Sequence, residues 1–325
     1  MPSYLFSTRR IQNGAFASDQ GAPDPTLYLC IPDGGAYTPA AAIDANAWVQ
    51  AIQAAANASA TAPAGAAGQA WGSILIFVHG FNNSPDDVIQ RHRQLQSDLA
   101  ALGWNGIVVS YDWPSDDSVL AYYDDRSSAK LTAMALVNDG IRLLAVNQKL
   151  GCTLSVHVLG HSTGAYLIRE AFDHADDNNR LTQCSWSIGQ CIFIAGDVSS
   201  ASLATSASDS IFQHSSRVTN YSNGCDEVLQ ISNLKRFGVA PRVGRVGLPD
   251  GAPDEAVNVD CTAYFKTLDE ANRRLANGVF CHSWYFGDLG FTKDLAETLH
   301  GGLDRAAFPS RALVAKDRFQ LQATP

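Results

Sequence analysis

The chain has little charge and no long apolar run. Only 17% of its 325 residues are Asp, Glu, Lys or Arg, below the usual quarter. The balance is acidic, with 23 basic against 32 acidic side chains and a net charge of −9. A surface that neutralises nucleic-acid phosphates, or holds an anionic bilayer by charge, needs the opposite sign. Nucleic acid is therefore not an expected partner. Apolar runs such as 74–78 and 107–109 fall far short of the roughly 20 residues that cross a bilayer, so no membrane insertion is expected. The opening MPSYLFSTRRIQNG lacks a basic stretch followed by an apolar one. It does not read as a secretory signal, and the expected location is cytoplasmic. Cys30, Cys152, Cys184, Cys191, Cys225, Cys261 and Cys281 are scattered, odd in number and free of any CxxC pair. They read as free thiols with no metal site. Cys184 and Cys191 are near enough to pair if the protein is secreted. No internal repeat is visible, and neither a cofactor nor a metal is expected.

Apolar residues make up 46% of the chain, enough for a large core. An alanine-rich helix starts at Asp44, with Trp48, Ala51 and Ile52 on one face, and gives way to a loop over 59–69. The run 74–78 reads as a buried strand. Ser84-Pro85-Asp86-Asp87 reads as a helix start, with a capping serine, an early proline and acids at the positive end. Strands follow at 106–111, 154–159, 188–195, 217–222 and 256–260. A helix spans 126–150 with Met134, Val137, Ile141 and Leu144 on one stripe. Strands alternating with helices predict a parallel sheet covered on both faces. The expected organisation is a single α/β domain over 1–325 with an N-terminal extension of about 70 residues. Two irregular stretches, 113–128 and 237–256, are expected over the site.

One place in this pattern is abrupt. SVHVLG, a strand, runs into AYLIREAF, a helix, through Gly160-His161-Ser162-Thr163-Gly164. So tight a corner leaves no room for side chains two residues before or after it, and glycine stands at both positions. The corner residue, Ser162, is forced into a strained conformation that lifts its side chain out of the sheet. It also stands beside the free N–H groups of a helix start. A serine hydroxyl needs a base, and the base needs an acid that holds its tautomer. In this strand–turn–helix context the chain order is serine, acid, histidine.

Of the histidines after Ser162, His282 falls after the last predicted strand and before the last helix, where the base belongs. His174 lies in an acidic helix end, His214 in a polar connection, and His300 at a helix C-terminus. Asp226, in a turn after a strand, is the favoured acid. Asp197, one strand earlier, is the alternative, and Asp260 ends a third strand. Glycine after His79 lets the backbone turn inward, so the Phe81 and Thr163 N–H groups can converge on an oxyanion. His79 itself reads as structural. Trp113, Tyr122, Tyr123, Trp284 and Tyr285 are pocket candidates, although at least half read as ordinary packing. Arg242 and Arg245 are expected to pair with Asp250, Asp254 or Glu255.

These residues resemble the α/β-hydrolase superfamily. Within it they resemble a bacterial branch catalogued as a domain of unknown function. The matching pieces, in order, are FSTRR, FVHGFNN, YDWPS, LGHSTGAYL, FIAGDV, YSNGCDEVL, RVGRVG and CHSWYF, spanning residues 6–286. Thr163-Gly164-Ala165 departs from relatives, which often carry a bulkier residue and then two small ones. The resemblance implies an eight-stranded, mostly parallel sheet. It also implies Ser162, Asp226 and His282 as triad, with Phe81 and Thr163 as oxyanion donors.

The leading function is a serine hydrolase, first of all a carboxylesterase acting on a small or medium acyl ester through an acyl-enzyme. Amidase, thioesterase and lactonase are alternatives on the same triad. A lyase or acyltransferase, or a catalytically silent binding protein, are alternatives of other classes, since fold does not fix function. The expected partner is a small acyl substrate.

Overall fold

The computed structural model describes residues 1–18, 23–60, 72–115, 132–145, 154–177, 186–204, 210–234, 241–300 and 308–323. Thirteen strands occur among them: β1 (Ser3–Ser7), β2 (Ile11–Gln12), β3 (Ala15–Phe16), β4 (Leu27–Ile31), β5 (Ala42–Ile43), β6 (Gly72–Val78), β7 (Ile107–Asp112), β8 (Leu154–His161), β9 (Ile188–Ile194), β10 (Ser215–Ser222), β11 (Ala256–Asp260), β12 (Arg311–Ala315) and β13 (Arg318–Leu321). Eleven form one sheet in the order β12-β13-β11-β10-β9-β8-β6-β7-β1-β4-β5. From β13 to β1 every neighbouring pair is parallel, and antiparallel strands close both edges. The expected eight strands are thus eleven.

The extra strands come from both ends of the chain. β1 lies parallel to β7, with Tyr4 opposite Val109 and Ser7 opposite Asp112, and all five of its residues are buried. The first residues are therefore part of the main sheet rather than an extension. SYLFS is short and stands alone before a turn, and its partner β7 lies a hundred residues downstream, so no local pattern marks it as a central strand. The C-terminal hairpin β12–β13 is held by Arg311, whose Nε donates to buried Asp294 at 2.8 Å.

Strand alternation divides the core into two layers. Ile74, Ile76 and Val78 of β6 face one layer with Trp48 and Ile52 of α1 (Ala45–Ala58) and with Leu167 and Ile168 of α3 (Thr163–Asp177). Leu75 and Phe77 face the other, with Leu95 and Leu99 of α2 (Pro85–Ala101) and Leu295 and Leu299 of α7 (Leu289–His300). The predicted caps form: Asp44 accepts from the Asn46 and Ala47 N–H groups, and Ser84 makes a reciprocal capping box with Asp87. The helix predicted over 126–150 is described from 132 to 145 and carries a π-helical turn at Leu136–Ile141. There Gly140 lets the Phe6 ring approach, because a Cβ would meet that ring at 2.4 Å. Among the described residues, no helix is long and apolar enough to cross a membrane.

Candidate active site

β8 ends at His161 and α3 begins at Thr163, so Ser162 alone forms the corner. Its φ is +54°, a left-handed conformation that costs a non-glycine residue about 1–3 kcal/mol and persists only where the surroundings enforce it. Three backbone hydrogen bonds do so. Ser162 N–H donates to Ile194 O at 3.1 Å, and Ser162 O accepts from Ala165 N–H at 3.1 Å and Asp197 N–H at 3.0 Å. The two flanking glycines clear the corner as the sequence predicts. A Cβ on Gly160 would stand 2.8 Å from the Ala165 backbone. One on Gly164 would stand 2.3 Å from Val78 O and 2.5 Å from His79 O. Gly80 makes the same kind of room on the facing strand end, since its Cβ would lie 2.7 Å from Ser162 Cβ.

His282 sits on a short helix, α6 (Phe280–Ser283), and its Nδ1 lies 2.7 Å from Asp226 Oδ2. A carboxylate only accepts, so Nδ1 carries the proton and Nε2 is the nitrogen left to act as base. Asp226 is fully buried, while Ser162 and His282 are each 7% exposed. The other Asp226 oxygen accepts from Leu229 N–H at 2.9 Å, which fixes the carboxylate to the first turn of α4 (Glu227–Leu234).

Two residues outside the predicted set hold this pair. Asn223 clamps the Asp226 turn to the His282 helix: its Nδ2 donates to Cys281 O at 3.0 Å and its Oδ1 accepts from Cys225 N–H at 3.0 Å. His161 donates from Nε2 to His282 O at 3.0 Å, and its ring packs 4.9 Å from that of His282. Burial, and after it the neighbouring charges of His282 and Arg91, push the His161 imidazole far below its usual range. It stays neutral and supports the backbone. Asn223 lies inside YSNGCDEVL and His161 inside LGHSTGAYL, but neither segment shows in sequence what its side chain reaches.

The alternative acid has another partner. Asp197 Oδ1 lies 2.9 Å from Arg242 Nε, and both residues are buried. This corrects the expected pairing of Arg242 with Asp250 or Asp254. Those two carboxylates pair with Arg318 at 2.9 Å and Lys316 at 2.7 Å. Nor is the stretch 237–256 a plain loop. Its part from 241 includes α5 (Val243–Val246), docked so closely that a Cβ on Gly244 would stand 2.2 Å from Gly196 N. Asp260 accepts from Thr262 N–H at 2.8 Å and closes a turn. His174 is exposed, and His300 is the last residue of α7, as read from the sequence. His214 is not simply in a polar connection: it stacks on Trp186 at 4.0 Å and bonds Asp176 at 2.7 Å.

Phe81 lies on the loop after β6, next to Gly80, and Thr163 is the first helical residue of α3. Trp113 is buried and stacks on His79 at 5.3 Å, while Trp284 and Tyr285 are core residues, so these three follow the packing reading. Tyr122, Tyr123 and the acids of 116–128 lie outside the described residues, as do Cys152 and Cys184.

A mostly parallel sheet, layered with helices on both faces and carrying a strained serine at a strand–helix corner, defines an α/β hydrolase. The chain belongs to the family described as alpha/beta hydrolase of unknown function (DUF900), whose model matches residues 62–273. Distant likenesses to solved structures accompany it. A cutinase-like protein from Cryptococcus sp. is 14% identical, over 71% of this chain and 95% of that one, with a TM-score of 0.35. Esterase B from Lactobacillus rhamnosis is 12% identical, over 90% and 88%, at 0.39. A hyperthermophilic esterase from Pyrobaculum calidifontis is 11% identical, over 79% and 93%, at 0.35. No curated protein matches the sequence.

Proposed function

We propose that this hydrolase is a serine esterase that cleaves a small or medium acyl ester through an acyl-enzyme. One observation carries the reading: the strained Ser162 corner shares the C-terminal edge of the sheet with a buried carboxylate–imidazole pair, Asp226 and His282, at 2.7 Å. In this reading Ser162 Oγ attacks the acyl carbon while His282 Nε2 takes its proton. Asp226 holds the imidazolium through Nδ1–H. The carbonyl oxygen, now an oxyanion, accepts from the Phe81 and Thr163 N–H groups. Collapse expels the alcohol, which receives the proton from His282. Water then repeats the sequence on the acyl-enzyme and frees the acid. No step calls for a cofactor.

The test is hydrolysis of p-nitrophenyl esters from acetate to decanoate by the wild type and Ser162→Ala, with fluorophosphonate labelling in parallel. Cleavage and labelling that vanish in Ser162→Ala support the reading, and the preferred chain length sizes the acyl pocket. Labelling without ester cleavage moves the substrate to amides, thioesters or lactones. Equal cleavage by both proteins removes Ser162 from the mechanism.

A further inference from the structure

The Phe81 loop is tied down by a buried ionic cluster whose anchor comes from the N-terminal strand. Arg9, two residues past β1, lies outside the matched span 62–273 and has a fully buried side chain. Its Nε donates to Asp112 Oδ1 at 2.6 Å, at the end of β7. Its Nη2 donates to Asn83 O at 2.6 Å, and its Nη1 to Ala17 O at 3.2 Å and Ser115 O at 3.3 Å. Asp112 Oδ2 also accepts from Tyr37 OH at 2.5 Å and Ser7 Oγ at 3.3 Å.

The loop is held from two sides, by His79 and by Asn83. Asp112 Oδ1 lies 3.0 Å from His79 Nε2, and His79 Nδ1 lies 2.8 Å from Gly80 O. A carbonyl only accepts, so Nδ1 carries the proton of this ring, which burial keeps neutral, and Nε2, beside Asp112, accepts from the Trp113 N–H at 3.2 Å. Asn83, whose carbonyl Arg9 holds, donates from Nδ2 to Gly80 O and Phe81 O, each at 2.8 Å. Gly80 O is therefore gripped twice. It belongs to the same rigid peptide unit as the Phe81 N–H, so fixing the carbonyl fixes the direction of that N–H. Both donors also polarise the peptide and strengthen the N–H as a donor.

We propose that Arg9 is a positioning residue for the oxyanion donor, setting the Gly80–Phe81 peptide through Asn83, whose carbonyl it holds and whose side chain grips Gly80 O, while His79 grips the same carbonyl from the other side. The inference rests on the serine-hydrolase reading above. It adds that the site is incomplete without the N-terminal segment. Losing a donor outright costs about 10²–10³-fold, so a mis-aimed donor is expected to cost about 10- to 100-fold.

Arg9→Lys keeps a cation beside Asp112 but cannot span Asp112 and the Asn83 carbonyl together. Three quantities test it: affinity for an alkyl boronic acid, which forms a tetrahedral oxyanion adduct on serine; the rate of Ser162 labelling by a fluorophosphonate; and KM for an ester. The expected result is boronate affinity and labelling rate of the folded enzyme lowered together, with KM near wild type. A merely structural role would lower the midpoint and leave boronate affinity of the folded fraction unchanged.

If Arg9→Lys does not fold, a local pair replaces it. His79→Asn places an amide N–H where Nδ1 stands and is expected to keep boronate affinity. His79→Gln places it where Nε2 stands and is expected to lose affinity. Wild-type boronate affinity in folded Arg9→Lys or His79→Gln overturns the inference and leaves the serine-hydrolase reading intact. Absence of Ser162 labelling in the wild type overturns both.

Discussion

The protein is expected to lose stability steeply between pH 6.5 and 5, because it buries histidines in their neutral form. Burial pushes His92 down to about 3 and His157 down to about 4, and His161 lies well below its usual range for the same reason. In the unfolded chain each takes up a proton near pH 6.5. Below that pH the unfolded state binds more protons than the folded one, so stability falls as pH falls, until the folded-state value is passed. At pH 5 His92 and His157 have each removed about 2 kcal/mol, about 4 kcal/mol together, and His161 adds to the loss. Whole domains hold only about 5–15 kcal/mol. His79, also lowered by burial, adds to the loss, while Asp288, whose carboxyl burial raises, opposes it as a single group. Asp112, held at about 2 by Arg9, His79 and Tyr37 against the effect of burial, contributes only below this window. The assay is urea unfolding followed by tryptophan fluorescence from pH 7 to 5. His157, buried on β8 with neither ring nitrogen hydrogen-bonded, supplies the control. His157→Leu should shrink the loss between pH 7 and 5 by about 2 kcal/mol. A flat stability curve, or one that His157→Leu leaves unchanged, refutes the argument.

Two further outcomes test the site's geometry. Asp226→Asn should lower kcat by about 10³–10⁴-fold with little change in KM, because the amide presents a donor to His282 Nδ1 and favours the wrong tautomer; steady-state kinetics on the best p-nitrophenyl ester reads this. Gly164→Ala should cost about 3 kcal/mol or more in chemical denaturation, since its Cβ would stand 2.3 Å from Val78 O and 2.5 Å from His79 O, both backbone atoms. A variant with wild-type stability would mean that the corner is looser than its contacts imply.

The Ser162 half of the site was legible because its cause is local. The clearances at Gly160 and Gly164 depend on residues within a few positions or on the adjacent strand, and a five-residue pattern carries them. The central strands were legible for a similar reason: buried parallel strands are short, wholly apolar runs. What escaped reading depends on long-range polar contacts. Arg242 meets Asp197, 45 positions away, rather than an acid close by in sequence, because α5 folds back onto the end of β9. Asn223 spans 58 positions to reach Cys281. Arg9 reaches Asn83 across 74 and Asp112 across 103. Composition and periodicity hold no trace of such pairings.

The two halves of the site therefore have different vulnerabilities. Ser162 is held by backbone sterics and backbone hydrogen bonds, which side-chain substitutions nearby cannot remove unless they add atoms. Asp226, His282 and the Phe81 loop hang on side-chain hydrogen bonds from Asn223, His161, Asn83 and Arg9. A hydrogen bond to a buried group contributes about 1 kcal/mol when made, and leaving its partner unsatisfied costs about 1–3 kcal/mol. Deleting Asn223, His161 or Asn83 is thus too small a change to unfold the sheet, yet large enough to turn a peptide or an imidazole. Substitutions around the serine should act mainly on folding, whereas substitutions in the polar supports should act mainly on turnover.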